Sequence, residues 1–276
     1  MALYRYTILG CGSSGGVPRA DGDWGVCDPS NPKNRRLRCS LLIERGDDLD
    51  AVENGDKVTR LLVDTSPDFR QQWLNVGSPA LHGIFYTHDH ADQTHGIDDV
   101  RALVYRQHIR FPAWMNDETH QRLTRRFSYI FEAPAHSLYP PLLDAKKLPE
   151  RGEVLLCEGP GGPITARVFP VEHGRVTCAA LVVGGMAYTP DVSAIAPEDL
   201  STVSGISLWI VDCLKNTPHP THAHFQQVMD WRDAVRPARM ALTNLHTDHD
   251  YEALRAQCPP GVEPVYDGWQ GVSLSD

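Results

Sequence analysis

The chain has 276 residues with 41% hydrophobic and 22% charged positions, and its formal net charge at pH 7 is −9. This composition supports a large buried core, and the acidic balance argues against DNA or a general nucleic-acid surface as the partner. No apolar run reaches the about 18 residues of a membrane span, and the N-terminal stretch lacks the pattern of a secretory signal, so no membrane contact is expected.

Short apolar runs separated by turn residues predict β-strands in the first half of the chain. Four strands are predicted, in YRYTILG, CSLLIE, RLLVDTS and HGIFYTH. The charged segment DDLDAVENGDK contains Asn-Gly and is predicted to be an exposed hairpin loop. The segment GIDDVRALVYRQ carries apolar residues at helical spacing, so the polar residues before it lie on a turn from strand to helix.

The second half repeats this plan. Strands are predicted in ITARVFPVEHG, CAALVVGG, MAYTPD, ISLWIVDCL and RMALTNLH, and helices in HFQQVMDWRDAV and YEALRAQ. No low-complexity linker divides the halves, which predicts one domain over residues 1–276. We expect two similar halves, each a mixed sheet covered by helices on one side, with the two sheets facing each other inside an α/β sandwich.

Histidines and aspartates cluster on the turn that follows HGIFYTH, within the stretch YTHDHADQTHGIDDVR. His88, His90 and Asp92 stand at alternate positions, a spacing that suits metal binding but also occurs on polar surfaces. Three further candidates each follow a predicted strand of the second half, and these are His173, Asp191 and His246. Imidazole and carboxylate groups without thiolates form the ligand set of catalytic zinc, manganese or iron(II) sites, so the sequence predicts such a centre.

The cysteines indicate the compartment. There are seven, they are scattered, and no two of them form a C-x-x-C pair. A disulfide framework is therefore not expected, and a reducing, cytoplasmic location is predicted.

The stretch THDHADQTHGIDDVR resembles the H-x-H-x-D-H signature of the metallo-β-lactamase fold. Further stretches, in order along nearly the whole chain, resemble the PhnP-like phosphoribosyl cyclic phosphodiesterase family; they are LGCGSSGGVPR, NRRLRCSLLIE, LLVDTSPDFR, YTPDVS, VDCL and HPTHAHF. The resemblance implies a four-layer αβ/βα sandwich with a dinuclear metal centre. It implies that His88, His90 and His173 hold the first metal. It also implies that Asp191 bridges the two ions and that Asp92 belongs to the second.

The sequence departs from the family pattern at two positions, and both concern the second metal. Gln93 stands where the signature has its last histidine, and Asn244 stands where the family has a histidine after LT. Amide oxygens are weaker and harder ligands than imidazole, so two divalent ions, Mn or Zn, are predicted, with the second bound less tightly. His246 lies two residues past Asn244 and would share its face on an extended strand, so we predict that His246 takes over as the ligand.

Candidate substrate contacts follow from the same resemblance. His222 is placed near the scissile phosphate, as general acid or as a phosphate contact, and His224 is a second candidate beside it. Arg101, on the predicted helix, either binds a substrate phosphate or forms a buried ion pair with Asp98 and Asp99, which precede it.

These residues predict a phosphodiesterase that uses two divalent metals. Asp92 would hold the attacking water or accept its proton, and Asp64, at the end of an apolar strand, would orient a metal ligand. The predicted substrate is a small cyclic (phospho)ribosyl phosphate or a related nucleotide phosphodiester. The rivals are an RNA or cyclic-nucleotide phosphodiesterase of the same fold and a metal-bound nucleotide-binding protein with little turnover. The sequence leaves open whether the chain forms a homodimer.

Overall fold

Fourteen strands form two mixed sheets in the residues that the computed structural model describes, 2–55, 57–133 and 138–275. The first six in chain order are β1 (Ala2–Gly10), β2 (Ser40–Gly46), β3 (Thr59–Val63), β4 (Gly83–Phe85), β5 (Phe111–Met115) and β6 (Leu143–Lys147). The others are β7 (Leu155–Cys157), β8 (Ile164–His173), β9 (Val176–Val183), β10 (Met186–Thr189), β11 (Leu208–Asp212), β12 (Arg239–Thr243), β13 (Val262–Pro264) and β14 (Gln270–Ser275).

The two sheets have the same plan. The first has the order β14-β1-β2-β3-β4-β5-β6, and the second has the order β13-β12-β11-β10-β9-β8-β7. In each sheet four neighbouring strands are parallel, β3 to β6 and β10 to β13, and the other pairings are antiparallel. This is the pair of similar halves predicted from the sequence. The carboxyl ends of parallel strands meet at one edge of a sheet, which is where ligand sites commonly form.

Helices pack on the outer face of each sheet. They are α1 (Leu49–Asn54), α2 (Phe69–Asn75), α3 (Ala91–Thr94), α4 (Arg101–Gln107), α5 (Asp117–Arg126), α6 (Ser128–Phe131), α7 (Pro197–Leu200), α8 (Phe225–Val235) and α9 (Tyr251–Gln257). Short 3-10 helices occupy Pro32–Asn34, Ile97–Val100 and Ser201–Val203. Within the described ranges, none of these helices combines the length and the apolar character needed to cross a membrane.

Three apolar clusters hold the layers together. One lies between the two sheets and includes the fully buried side chains of Tyr6, Leu61 and Tyr188. The other two lie between each sheet and its helices. Burial of a large apolar side chain contributes about 1.5–3 kcal/mol, so these contacts stabilise the arrangement strongly. The predicted four-layer αβ/βα sandwich is confirmed, while the single domain over residues 1–276 stays a prediction.

The segment DDLDAVENGDK differs from its prediction, because it contains α1 where a hairpin loop was expected. Asp48 caps this helix by accepting a hydrogen bond from the Ala51 backbone N–H at 2.8 Å. Val52 is fully buried, and the helix ends at Gly55, whose φ of 74° suits glycine. A single buried residue in a charged segment leaves no apolar periodicity, which is why the sequence pattern missed the helix.

Candidate metal centre

The segment after β4 carries the first ligand candidates. It is extended at His90, whose φ is −62° and ψ is 153°, and α3 begins at the next residue. In an extended backbone alternate side chains point to the same face, so His88 and His90 lie together. Their ring centroids are 4.4 Å apart, and His88 is fully buried.

His173, the last residue of β8, brings the second sheet to this pair. Gly174 follows it with a φ of 63°, a conformation that glycine adopts at no steric cost. The ring centroid of His173 lies 5.2 Å from that of His88 and 5.0 Å from that of His90. One ring nitrogen of each histidine falls within 4.8 Å of the others. The structure therefore brings these three predicted residues together, and we call them the three-histidine cluster.

Hydrogen bonds determine which nitrogen faces the cluster in two of the three rings. Nδ1 of His173 lies 2.6 Å from the backbone oxygen of Thr221, so Nδ1 carries the proton and Nε2 keeps a lone pair. Nδ1 of His88 lies 3.0 Å from the hydroxyl of Thr87, and that hydroxyl donates to the buried carboxylate of Asp64 at 2.8 Å. Thr87 therefore accepts from His88, and Asp64 fixes the tautomer of this ring through Thr87.

The three-histidine cluster fits a divalent metal. In the described part of the chain, Nε2 of His88 is buried without a hydrogen-bond partner, and Nε2 of His173 lies 3.3 Å from Nδ1 of His90. Burial lowers the pKa of His88 well below its usual range, and burial together with the nearby His222 lowers the pKa of His173 to about 4. Both rings are neutral at pH 7, which is the form that binds zinc or manganese.

Carboxylates border the cluster. Asp191 follows β10 and is buried, with an oxygen within 4.8 Å of ring nitrogens of His173 and His222. Asp92 is partly buried and lines the adjoining cleft. Burial raises the pKa of both carboxyl groups above the usual range. A divalent cation beside them would favour their ionised forms and offset the cost of burial.

Two amides contact Asp191 at the positions where the sequence departs from the family pattern. Gln93 donates from Nε2 to Oδ2 of Asp191 at 3.1 Å, and Asn244 donates from Nδ2 to Oδ1 at 3.3 Å. Asn244 also donates to the backbone oxygen of Pro190 at 2.8 Å. The amide nitrogens, and not the amide oxygens, therefore face this carboxylate.

His222 lies beside the cluster and is held by a carboxylate that the sequence analysis did not assign. Asp212, the fully buried last residue of β11, accepts hydrogen bonds from His222 Nδ1 at 2.8 Å and from the Val192 backbone N–H at 3.1 Å. Burial disfavours the charged imidazole, but the hydrogen bond and the charge of Asp212 outweigh it and raise the pKa of His222 to about 9. Its position in the sequence could have identified Asp212, because it ends the apolar strand β11. That strand pairs with β10, which Asp191 follows.

An open cleft of about 810 Å³ gives access to these groups. Four ligand candidates line it, and these are His90, Asp92, His173 and Asp191. His222 and residues of nearby loops, such as Ser14 and Arg175, line the rest. Concave sites in this size range bind small-molecule ligands.

A second unassigned carboxylate anchors the ligand segment from behind. Asp89 stands between His88 and His90 in the sequence, yet its side chain is only 1% exposed and pairs with α5. Arg122 donates to it at 3.0 Å and Arg126 at 2.8 Å, and Arg126 also bonds to the Asp89 backbone oxygen. Alternation places Asp89 on the face opposite the histidines, so the two arginines fix the segment without taking part in the cluster.

His246 does not join the cluster. Its Nε2 contacts Arg19 and its Nδ1 lies 3.2 Å from Asp248, and in the described residues it belongs to neither group of converging ligand atoms. The structure contradicts the prediction that His246 replaces Asn244 as a ligand. Asn244 has a φ of 60°, so the strand alternation on which that prediction depended ends there.

Arg101 and His224 also lie apart from the cleft lining as described. Arg101 pairs with Asp98 at 2.7 Å, but the two side chains are 30% and 54% exposed, so this is a surface ion pair and not the predicted buried one. His224 is the N-cap residue of α8. The structure therefore gives neither residue a place against a substrate in this cleft.

Comparisons with known proteins agree with this geometry. The family model for the beta-lactamase superfamily domain matches residues 59–246. The crystal structure of a new diphosphatase from the PhnP family is similar to this chain with a TM-score of 0.84 and 29% identity, over 99% of this chain and 98% of that one. The metallo-beta-lactamase fold protein YhfI from Bacillus subtilis has a TM-score of 0.70 and 17% identity, over 99% and 100%, and shows the fold alone. The resemblance and the fold predicted from the sequence are confirmed.

A curated relative matches over nearly the whole chain. It is an octanoyltransferase of Porphyromonas gingivalis, 29% identical over 279 residues, and the match covers 97% of this chain and 51% of that protein. This chain therefore spans about half the length of that relative, and the relative's name describes the whole protein.

Proposed function

Because this chain is a metal-dependent hydrolase of the beta-lactamase superfamily, we propose that it cleaves a small ribosyl or nucleotide phosphodiester, with a cyclic ribosyl phosphate as the favoured substrate. One observation carries the proposal: the three-histidine cluster lies beside His222, whose ring a buried carboxylate holds, at a single cleft. The diphosphatase is matched over 98% of its length at 29% identity, which supports phosphate chemistry. The octanoyltransferase has the same identity but is matched over only 51% of its length, so its name supports acyl chemistry less.

The three-histidine cluster would hold the metal. His88, His90 and His173 present three imidazoles, a set that suits zinc and also accepts manganese, and Asp191 lies next to them. A metal bound there would polarise a phosphoryl oxygen and lower the pKa of a coordinated water toward about 7. Asp64, through Thr87, and the Thr221 carbonyl already fix the rings of His88 and His173. Metal binding therefore needs little further ordering of these two side chains.

His222 is placed to protonate the leaving oxygen. Asp212 engages Nδ1, so Nε2 is the nitrogen left for the cleft. As the oxygen of water bonds to phosphorus, the bond from phosphorus to the ribose oxygen breaks, and that oxygen takes the proton from Nε2. Asp92, at the same cleft, holds the attacking water and accepts its proton. General acid–base catalysis of this kind contributes about 10²–10⁴-fold.

We also propose a cytoplasmic enzyme that acts on a small molecule. All seven cysteines are free and six of them are buried, which suits a reducing compartment. The net charge of −9 disfavours DNA as a partner. Whether the chain forms a homodimer stays a prediction.

The test is hydrolysis by the full chain loaded with Zn²⁺ or Mn²⁺. We expect conversion of a cyclic ribose phosphate without a base, and of bis-p-nitrophenyl phosphate, to the monoester, and loss of that activity in His88→Ala. The matched control is His95→Ala, which removes an exposed histidine of the same segment that packs on Phe127, and it should keep full activity. Cleavage of RNA ends alone, or tight nucleotide binding without turnover, would replace this proposal by the corresponding rival.

A further inference from the structure

We infer that this centre holds one divalent metal and not two, because the amides of Gln93 and Asn244 take the place of a second cation at Asp191. The inference rests on the proposed metal at the three-histidine cluster. It concerns what lies on the other side of Asp191, where the sequence alone predicted a second, weaker ion.

Asp191 already has a hydrogen-bond donor on each oxygen. Oδ2 accepts from Gln93 Nε2 at 3.1 Å, and Oδ1 accepts from Asn244 Nδ2 at 3.3 Å. A buried carboxylate needs such partners, since burial without them carries a large desolvation cost. A bridging carboxylate would have to give one oxygen to a second ion, and that ion would meet the N–H groups that now point at Asp191. N–H groups repel a cation, so this side of the carboxylate is closed to one.

The orientation of Asn244 follows from its surroundings. Its Nδ2 donates to the backbone oxygen of Pro190 at 2.8 Å, and a carbonyl oxygen can only accept. Nδ2 also lies 3.2 Å from Nδ1 of His222, whose proton is directed to Asp212. Rotating the amide by half a turn would offer Oδ1 to that ring but would also place Oδ1 against two acceptors, the Pro190 carbonyl and Asp191, so the present orientation satisfies more partners. The φ of 60° at Asn244 keeps the side chain in this position at the end of β12. Asn244 is therefore a donor to the carboxylate and not a metal ligand.

Gln93 has one atom left for a second ion. Its Nε2 serves Asp191, and its Oε1 is buried without a partner among the residues described. A second ion would then have this neutral carbonyl oxygen and the partly buried carboxylate of Asp92. The other converging group, His173, Asp191 and His222, shares its first two members with the first site, so it adds only one new ligand, the imidazole of His222. The first ion has three imidazoles. Zinc and manganese bind far better to several imidazole and carboxylate groups than to one amide oxygen, and His246 is engaged elsewhere by Arg19 and Asp248.

With a single ion, a protein side chain must stabilise the leaving oxygen. In a two-metal site the second ion can stabilise the leaving oxygen. Here that task falls to His222, which Asp212 holds at 2.8 Å beside Asp191. Dependence on the leaving group should therefore be carried by His222, while metal stoichiometry is set by Gln93 and Asn244.

The experiment counts metal ions and needs no substrate. The full chain is stripped with chelator, loaded with excess Zn²⁺ or Mn²⁺, dialysed against metal-free buffer and measured by elemental analysis. We expect one equivalent per chain in the wild type, with the electron paramagnetic resonance spectrum of an isolated ion for Mn²⁺. Gln93→His combined with Asn244→His should add a second equivalent. Two retained equivalents in the wild type, or a spin-coupled Mn²⁺ pair, would overturn the inference.

Two controls separate the site from general effects. Gln257→His adds a histidine at an exposed position and should stay at one equivalent. Gln93→Ala with Asn244→Ala removes the donors without adding imidazoles and should also stay at one. If the double-histidine variant fails to fold, the wild-type count still decides. One equivalent without hydrolysis of any phosphodiester would leave this inference standing and remove the proposed reaction, whereas no bound metal would remove both.

Discussion

The two sheets contribute to the centre in different ways. The first sheet supplies its part from one short segment after β4, with His88 and His90 on one face and the anchored Asp89 on the other. The second sheet supplies its part from separate strand ends, which include His173 at β8 and Asp191 after β10. A single segment can be fixed by a few neighbours, whereas separate strand ends depend on the register of the whole sheet. Substitutions in the first sheet therefore test the local support of one segment, and substitutions in the second sheet test the register of its strands.

The largest expected effect comes from removing one ligand on either side. His88→Ala and His173→Ala should each lower metal affinity by more than about 100-fold, since loss of a ligand exceeds the about 10–100-fold cost of losing an outer partner. Competition with a chromophoric chelator measures this directly. If His173→Ala lowers metal affinity only slightly, the segment after β4 alone holds the metal, and the second sheet does not contribute a ligand as inferred.

Asp212→Asn tests a strand end of the second sheet. It should keep the metal but lower the turnover of a poor leaving group by about 10²–10⁴-fold, because the ring of His222 loses the carboxylate that orients it for proton transfer. The loss should shrink for p-nitrophenolate, which needs little protonation. His222→Ala should show the same pattern. Equal losses for both leaving groups would make His222 a phosphate contact, and loss of metal would make it a ligand.

Asp64→Asn tests the support behind the first segment. Asp64 accepts from both the backbone N–H and the hydroxyl of Thr87, whereas an asparagine has one oxygen for the N–H and would turn Nδ2 toward the hydroxyl. The tautomer of His88 would no longer be fixed, so metal affinity should fall by about 10–100-fold. Affinity equal to that of the wild type would show that packing alone orients His88. Far-ultraviolet circular dichroism of the metal-free variant separates this effect from a loss of fold.

The smallest effect is expected at the outer anchor of the same segment. Arg126→Gln removes one of the two cations on the buried Asp89 and should lower the free energy of unfolding by about 1–3 kcal/mol. The neighbouring Arg125, which is exposed, provides the matched control as Arg125→Gln. Urea unfolding of the metal-free proteins compares the two. Equal stability of both variants would mean that Arg122 alone suffices to hold Asp89.

The sequence predicted the side of the centre that lies in one segment. His88, His90 and Asp92 could be placed because their alternation and the following helical spacing survive in the linear order. His173 and Asp191 could be placed because each follows an apolar run and resembles a family motif. Sequence spacing predicts no more than this, because it does not show which strand ends lie next to each other in the folded sheet.

Two results required three dimensions. Asp212 and Asp89 are both buried carboxylates that the sequence analysis did not assign. Their partners, His222 and Arg126, are not adjacent to them in the sequence and are known only from the packing of strands and helices. His246 was placed wrongly because the backbone turns at Asn244. Asparagine is enriched at positive φ, but the residue type alone does not say that the strand ends there. The direction in which an amide points likewise depends on its neighbours.

The edge of the first sheet has a consequence for biosynthesis. β1 pairs with β14, from Ala2 opposite Ser275 to Thr7 opposite Gln270, so the neighbours in this ladder are separated by nearly the whole described chain. A ribosome adding roughly 5–20 residues per second needs on the order of 10–60 s between the two strands. β2 can pair with one edge of β1 early, but throughout that interval the other edge presents unpaired backbone groups to other nascent chains, which is the situation that leads to intermolecular strand pairing. The rate of translation and the supply of chaperones should therefore govern how much of this protein reaches its native state.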